Sequence, residues 1–368
     1  MCGLATAGSA FAALVGIHPV PTYQTNGRVN VIVAQGSTVY LGGQFTAVRP
    51  AGAAAGTGEV TRNHVAAFNV KTGALLPWNP NAGGTVRAIA VAGSTVYLGG
   101  SFTKIGGTGR ARLAAVDATT GALTSWKQSA DAEVFTLAYQ SGTLYAGGDF
   151  TTVGGSARSH LAAFSTSTGG LTSWSPSADA EVKAMTLTAD GSKVVVGGSF
   201  TTVDGTAQSH IAAISPSTGA VLGWKTHTPY AVIDLAADAG GVYVAGAGGG
   251  GNFAGFNPST GAKIWDGGTN GNVQGIGVVD GIVYVGGHYT NYCGPGSGAH
   301  TCPSPTARDK LLAVDEGTGA LEPWDPGANS ALGVFAVTGD AATGDLFCGG
   351  DFTSIGLRKQ QGFAQFIP

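Results

Sequence analysis

The chain has 368 residues, of which 43% are hydrophobic and only 11% charged, with 63 glycines and a formal net charge of −3. This composition excludes a disordered polyelectrolyte, and so small a net charge excludes nucleic acid or an anionic membrane surface as the main partner. No run of 18 apolar residues occurs, so no membrane-spanning helix is expected.

Residues 1–17 are apolar and rich in small residues but lack the basic start of a signal peptide. They read as an N-terminal arm or the remnant of an export sequence, with one domain over 18–368. From there two motifs alternate. The first ends in a glycine pair: VYLGGQFT (39–46), VYLGGSFT (96–103), LYAGGDFT (144–151), VVVGGSFT (194–201), VYVAGAG (242–248), VYVGGHYT (283–290) and LFCGGDFT (346–353). The second ends in tryptophan, as in LAAVDATTGALTSW over 113–126, and it places Trp78, Trp126, Trp174, Trp224, Trp265 and Trp324 at one phase. These are all the tryptophans of the protein. Seven copies of one motif and six of the other describe a single repeated unit.

Residues 86–126 show what the unit is. Val86–Val91 alternates as a strand. Thr95–Thr103 is a second strand, Leu113–Asp117 a third and Ala122–Trp126 a fourth, with Gly121 supplying a positive φ in the turn between the last two. Short strands with period-2 patterns and frequent glycine turns indicate an all-β fold. Tandem four-stranded units of this length are propeller blades. The expectation is a seven-bladed β-propeller. The seventh unit stops at GFAQFIP without a fourth strand. His18–Tyr23 is expected to supply it, pairing near Phe363–Ile367 and closing the ring, with Tyr23 at the tryptophan position.

The tryptophans are expected between blades rather than as stacking platforms for sugars. One buried indole removes on the order of 200 Å² from water, or about 5 kcal/mol. The glycine pairs are expected to let that ring or a neighbouring backbone approach closely. Cys293 and Cys302 flank an inserted Gly/Pro/Ser loop and are expected to form a disulfide, worth roughly 2.5–3 kcal/mol in the chain-entropy model. A disulfide implies an oxidising, extracellular location. Cys348 stands at an apolar strand position and reads as a buried thiol, with pairing to Cys2 as the alternative.

The run A-x-D-x-x-T-G-x-x-x-W, at Ala115–Trp126 and Ala313–Trp324, resembles the tryptophan-docking motif of quinoprotein-type propellers. The Gly-Gly-x-Phe-Thr copies resemble secreted actinobacterial propellers of the delta-60-repeat or kelch-like kind. The resemblance implies the fold and a secreted protein. It carries over no cofactor, because quinoprotein dehydrogenases usually have eight blades, vicinal cysteines and acidic calcium ligands, and this sequence shows seven repeats and no Cys-Cys.

Candidate chemistry lies in the loops before each third strand. There a basic pair recurs: Arg62 with His64, Arg110 with Arg112, Arg158 with His160, His210 after Gln208, and Arg308 with Lys310, with Arg358 and Lys359 in the last repeat. A ring of cations on one face would bind acidic glycans or carboxylates. The alternative is that these side chains pair with Asp131, Glu133, Asp179 and Glu181 of the adjoining loops. The histidines have no metal-site spacing, and no nucleophile–base set is recognisable. The functional expectation is therefore an extracellular binding module, lectin-like or directed at a cell-surface or secreted protein. An enzyme of lyase or glycoside-active type at the central opening, or a structural module of a larger assembly, is the alternative.

Overall fold

The computed structural model describes residues 14–224, 226–248, 250–296 and 302–368. Residues 1–13 of the expected arm, with Cys2, lie outside the described residues, as do Gly249 of the short fifth-repeat loop and 297–301 of the cysteine loop. All regular structure among the described residues is strand.

Seven antiparallel three-stranded cores occur among the described residues, with first strands that begin at Val29, Val86, Val134, Val182, Val232, Asn272 and Val334. In each, the first strand pairs with the second and the second with the third, as in Val86–Ala92, Thr95–Gly100 and Leu113–Asp117. First strands of successive cores lie against one another, and the seventh lies against the first. The sheets thus form a closed ring around a central channel: the fold is an all-β propeller.

The fourth strand is shorter than the repeat suggests. It is a single antiparallel bridge in most blades, such as Val116↔Leu123, and a full strand only in the fifth, Lys263–Thr269. The chain must leave the sheet soon after this bridge, because its tryptophan docks on the next blade. The Trp78 indole N–H donates to Asp117 O at 3.0 Å, Trp174 to Ser215 O at 2.9 Å and Trp224 to Asn257 O at 3.2 Å. Each ring also lies against aromatic neighbours, as Trp78 does edge-on to Tyr40. These contacts are packing between blades, as expected. Trp126 is the exception, half-buried and with an indole N–H that has no partner.

The N-terminal segment closes the last blade. Val20 bridges Gln365, and the N–H groups of Gly16 and Val20 donate to Ile367 O and Gln365 O, each at 2.8 Å. Tyr23 stands where the tryptophan would, 5.6 Å from Phe68 of the first blade. The segment also serves the sixth blade, since Trp324 donates its indole N–H to Gly16 O.

The glycine pairs answer to a feature that the period-2 pattern hides. The first strand of every core carries a bulge after its first valine, between Val86 and Ala88 in the second blade. The bulge brings the preceding carbonyl against the second glycine: a Cβ on Gly100 would lie 2.1 Å from Thr85 O. The first glycine instead receives the opening valine of the next blade, so a Cβ on Gly99 would lie 2.8 Å from Val134. The glycines therefore accommodate backbone and valine, not the tryptophan ring. Gly100→Ala is expected to cost about 3 kcal/mol or more in denaturant unfolding, by overpacking against an immovable carbonyl. Gly109→Ala, where a Cβ meets nothing within 4 Å, is expected to leave the midpoint unchanged.

The fifth and sixth blades break the symmetry. Lys263–Thr269 extends beyond its own sheet and pairs with Asn291–Gly294 from the insertion of the sixth blade. Cys293 and Cys302 are joined in that insertion. Cys348 is free and buried.

Candidate functional site

The loops between second and third strands and those entering each first strand share one face. Short hairpins such as Thr152–Val153 with Ser156–Ala157 form the outer part of it, and the entering loop bridges onto them, as Ala130↔Val153. The basic pairs of the sequence lie here, blade by blade, and their hydrogen bonds run to the backbone. Arg62 is buried and donates to Thr61 O and Leu76 O. Arg158 donates to Ala157 O and Thr172 O, Arg308 to Ala307 O and Glu322 O, and Arg110 to Gly109 O. Arg62, Arg158 and Arg308 thereby tie the hairpin to the end of the fourth strand, whose carbonyls have no sheet partner once the chain departs.

The second member of each pair has a different task. His64, Arg112, His160, His210 and Lys310 all have φ between 65° and 68°, the left-handed region in which a non-glycine residue needs support. Each finds a backbone carbonyl: Gly43 O for His64, Ala130 O for Arg112, Gly148 O for His160, Thr228 O for His210 and Tyr289 O for Lys310. In the seventh blade this place belongs to Gly362, with φ 74°, and the arginine's place to Gln360, which donates to Thr22 O and Phe363 O. Arg358 and Lys359 are therefore two residues and one residue out of phase, in an exposed strand.

Among the described residues, the acidic groups do not pair with this set, with one long contact excepted: Arg308 lies 3.8 Å from Asp325. Asp131 accepts from the N–H groups of Thr151 and Thr152, and Asp179 does the same for Thr201 and Thr202. Burial works against the ionised Asp179, but hydrogen bonds from Thr201 and Thr202 hold its pKa down to about 2. Glu133 pairs with Arg87 and Glu181 with Lys183, both at the channel rather than at the hairpins.

The channel mouth is where side chains converge. A bulge re-aims the residue it inserts, and here seven bulges at one phase turn seven residues toward the axis. They are Asn30, Arg87, Phe135, Lys183, Ile233, Gln274 and Phe335, all half-buried. The cavity they line measures about 380 Å³, within the range of small-molecule sites. Arg87 leans toward Phe135, and the Arg28 guanidinium carbon lies 4.0 Å from the centre of the Phe335 ring. Ser199 donates to Glu181 at 2.9 Å. Asp351, the other residue after a glycine pair with a polar partner, accepts from Ser330.

Deeper in the channel, Asp234 accepts from the N–H of Leu235 and, across the seam to the sixth blade, from the N–H of Ile276. Burial pushes its carboxyl up to about 7 against these two bonds. The other blades place Val31, Ala88, Thr136, Ala184, Gly275 and Ala336 at the equivalent register position. Sequence reasoning passed over the channel set. Its signal is variation directly after a valine that recurs in every first strand.

Comparison with known proteins agrees with this geometry. Residues 61–231, under half of the chain, match the family described as outer membrane protein assembly factor BamB. No curated protein matches. Among solved structures, the computationally designed Ika8 protein is similar at 15% identity and a TM-score of 0.59, covering 96% of this chain and 100% of that one. The WD40 propeller domain of Doa1 is similar at 13% identity and 0.59, covering 96% and 97%, and U3-55K at 12% and 0.63, covering 94% and 98%. At such identities the likeness is one of fold.

Proposed function

We propose that this propeller is an extracellular binding module that recognises carbohydrate at the mouth of its central channel. The observation that carries the reading is the ring of bulge residues. It combines aromatic faces, amides and two cations around one cavity, and a polyhydroxylated ligand needs donors, acceptors and apolar ring faces together. The disulfide in the inserted loop supports an oxidising compartment. The repeated cations before the third strands are assigned to the scaffold in this reading, because their hydrogen bonds already run to backbone carbonyls.

A glycan array with the purified chain, followed by calorimetry, tests the proposal. A specific hit is expected, weakened about tenfold by Phe135→Ala, in line with the loss of one stacked aromatic face. An array without hits, or a hit indifferent to Phe135→Ala and Gln274→Ala, would remove the channel mouth as the site. The name of the family matched over residues 61–231 favours a protein partner as the second reading.

A further inference from the structure

The charges at the channel mouth are unevenly satisfied. On one side Arg87 pairs with Glu133 and Lys183 with Glu181. On the other, where the sixth, seventh and first blades meet, Arg28 makes no ion pair among the described residues. Its guanidinium lies over the ring of Phe335. Two residues on, Asn30 has a buried Nδ2 without a partner. Gln274 comes from the other side, close enough to Gly333 that a Cβ there would lie 2.2 Å from its Oε1, and that oxygen also lacks a partner. Arg28 Nε is unpartnered as well. Asn30, Gln274 and Phe335 line the cavity and Arg28 lies over the last of these, so the unmade hydrogen bonds of the two amides point to an occupant.

We propose that the Arg28, Asn30, Gln274 and Phe335 sector receives the carboxylate of an acidic sugar residue, which deepens the carbohydrate reading and rests on it. A single unpaired guanidinium held by a ring presents its planar fork, and that fork matches the two oxygens of a carboxylate. Asn30 Nδ2 adds a donor beside it. The Gln274 amide offers an acceptor for a ring hydroxyl, or a donor once turned over. Among the described residues, the sector opposite has its Arg87 and Lys183 paired, so the acid group has one orientation in the mouth.

The test is titration of the full chain with sodium D-glucuronate, D-glucose and sodium propionate, read by calorimetry and ligand-observed NMR. Glucuronate is expected to bind and glucose to bind at least about tenfold more weakly, with glucuronate affinity falling as salt rises. Arg28→Ala is expected to abolish that preference and Arg28→Lys to restore part of it, with circular dichroism confirming that both variants fold. Equal binding of glucuronate and glucose, or a preference that survives Arg28→Ala, overturns the proposal. If propionate binds as tightly as glucuronate and depends on Arg28, the carboxylate site stands and the carbohydrate reading falls. Failure of all three ligands overturns both.

Discussion

Deleting residues 1–24 is expected to lower the melting temperature by roughly 6 °C, from a loss of about 5 kcal/mol at a little over 1 °C per kcal/mol for a chain this long. The segment contributes the seventh blade's edge bonds from Gly16 and Val20. It supplies the acceptors for Trp324 and for Gln360, and it buries Val15 beside Tyr284, whose hydroxyl accepts from the Val15 N–H. At about 1 kcal/mol net for each hydrogen bond, with apolar burial added, the sum reaches that size. Deletion also bares Phe363–Phe366 as an open edge strand, so aggregation on heating is expected alongside the lower midpoint. A synthetic peptide of residues 14–24 should restore part of the loss. Superimposable melting curves for the two proteins would show that blade-to-blade packing alone closes the ring.

Closure was legible in the sequence because a repeat that ends one strand short leaves a visible vacancy, and His18–Tyr23 fits it in pattern. The tryptophan phase was legible for the same reason. A side chain that recurs at one place in every copy does the same work in every copy. The same logic singled out the basic pairs, whose hydrogen bonds run to the backbone. Arg62, Arg158 and Arg308 recur because each meets an orphan carbonyl at the end of its fourth strand, and a recurring need selects a recurring residue. His64, Arg112, His160, His210 and Lys310 recur because each blade has the same left-handed turn. A single binding site on a ring of like units must instead use positions that differ between copies. Asn30, Arg87, Phe135, Lys183, Ile233, Gln274 and Phe335 are such positions. A period-2 reading cannot place them, since the bulge beside each one interrupts the alternation on which that reading depends.

The exceptional tryptophan gives a sharper test of docking than deletion of any ring. Trp324→Ala is expected to cost about 3–5 kcal/mol in urea unfolding, as large aromatic deletions from cores do. The ring is only 2% exposed, stands edge-on to Tyr284 at 5.0 Å and to Phe366 at 5.6 Å, and carries a hydrogen bond. Replacement by phenylalanine separates the ring from its N–H. Trp174→Phe keeps much of the apolar face against Tyr145 but strands Ser215 O, so a loss of about 1–2 kcal/mol beyond the change in ring size is expected. Trp126→Phe removes an indole N–H that is already buried without a partner. Its edge-on contacts with Tyr97 and Phe164 survive in kind, and removing an unsatisfied donor offsets the smaller ring, so a change near zero is expected. Equal losses at 126 and 174 would mean that ring volume alone, without the hydrogen bond into the next blade, accounts for the tryptophan at this phase of the repeat.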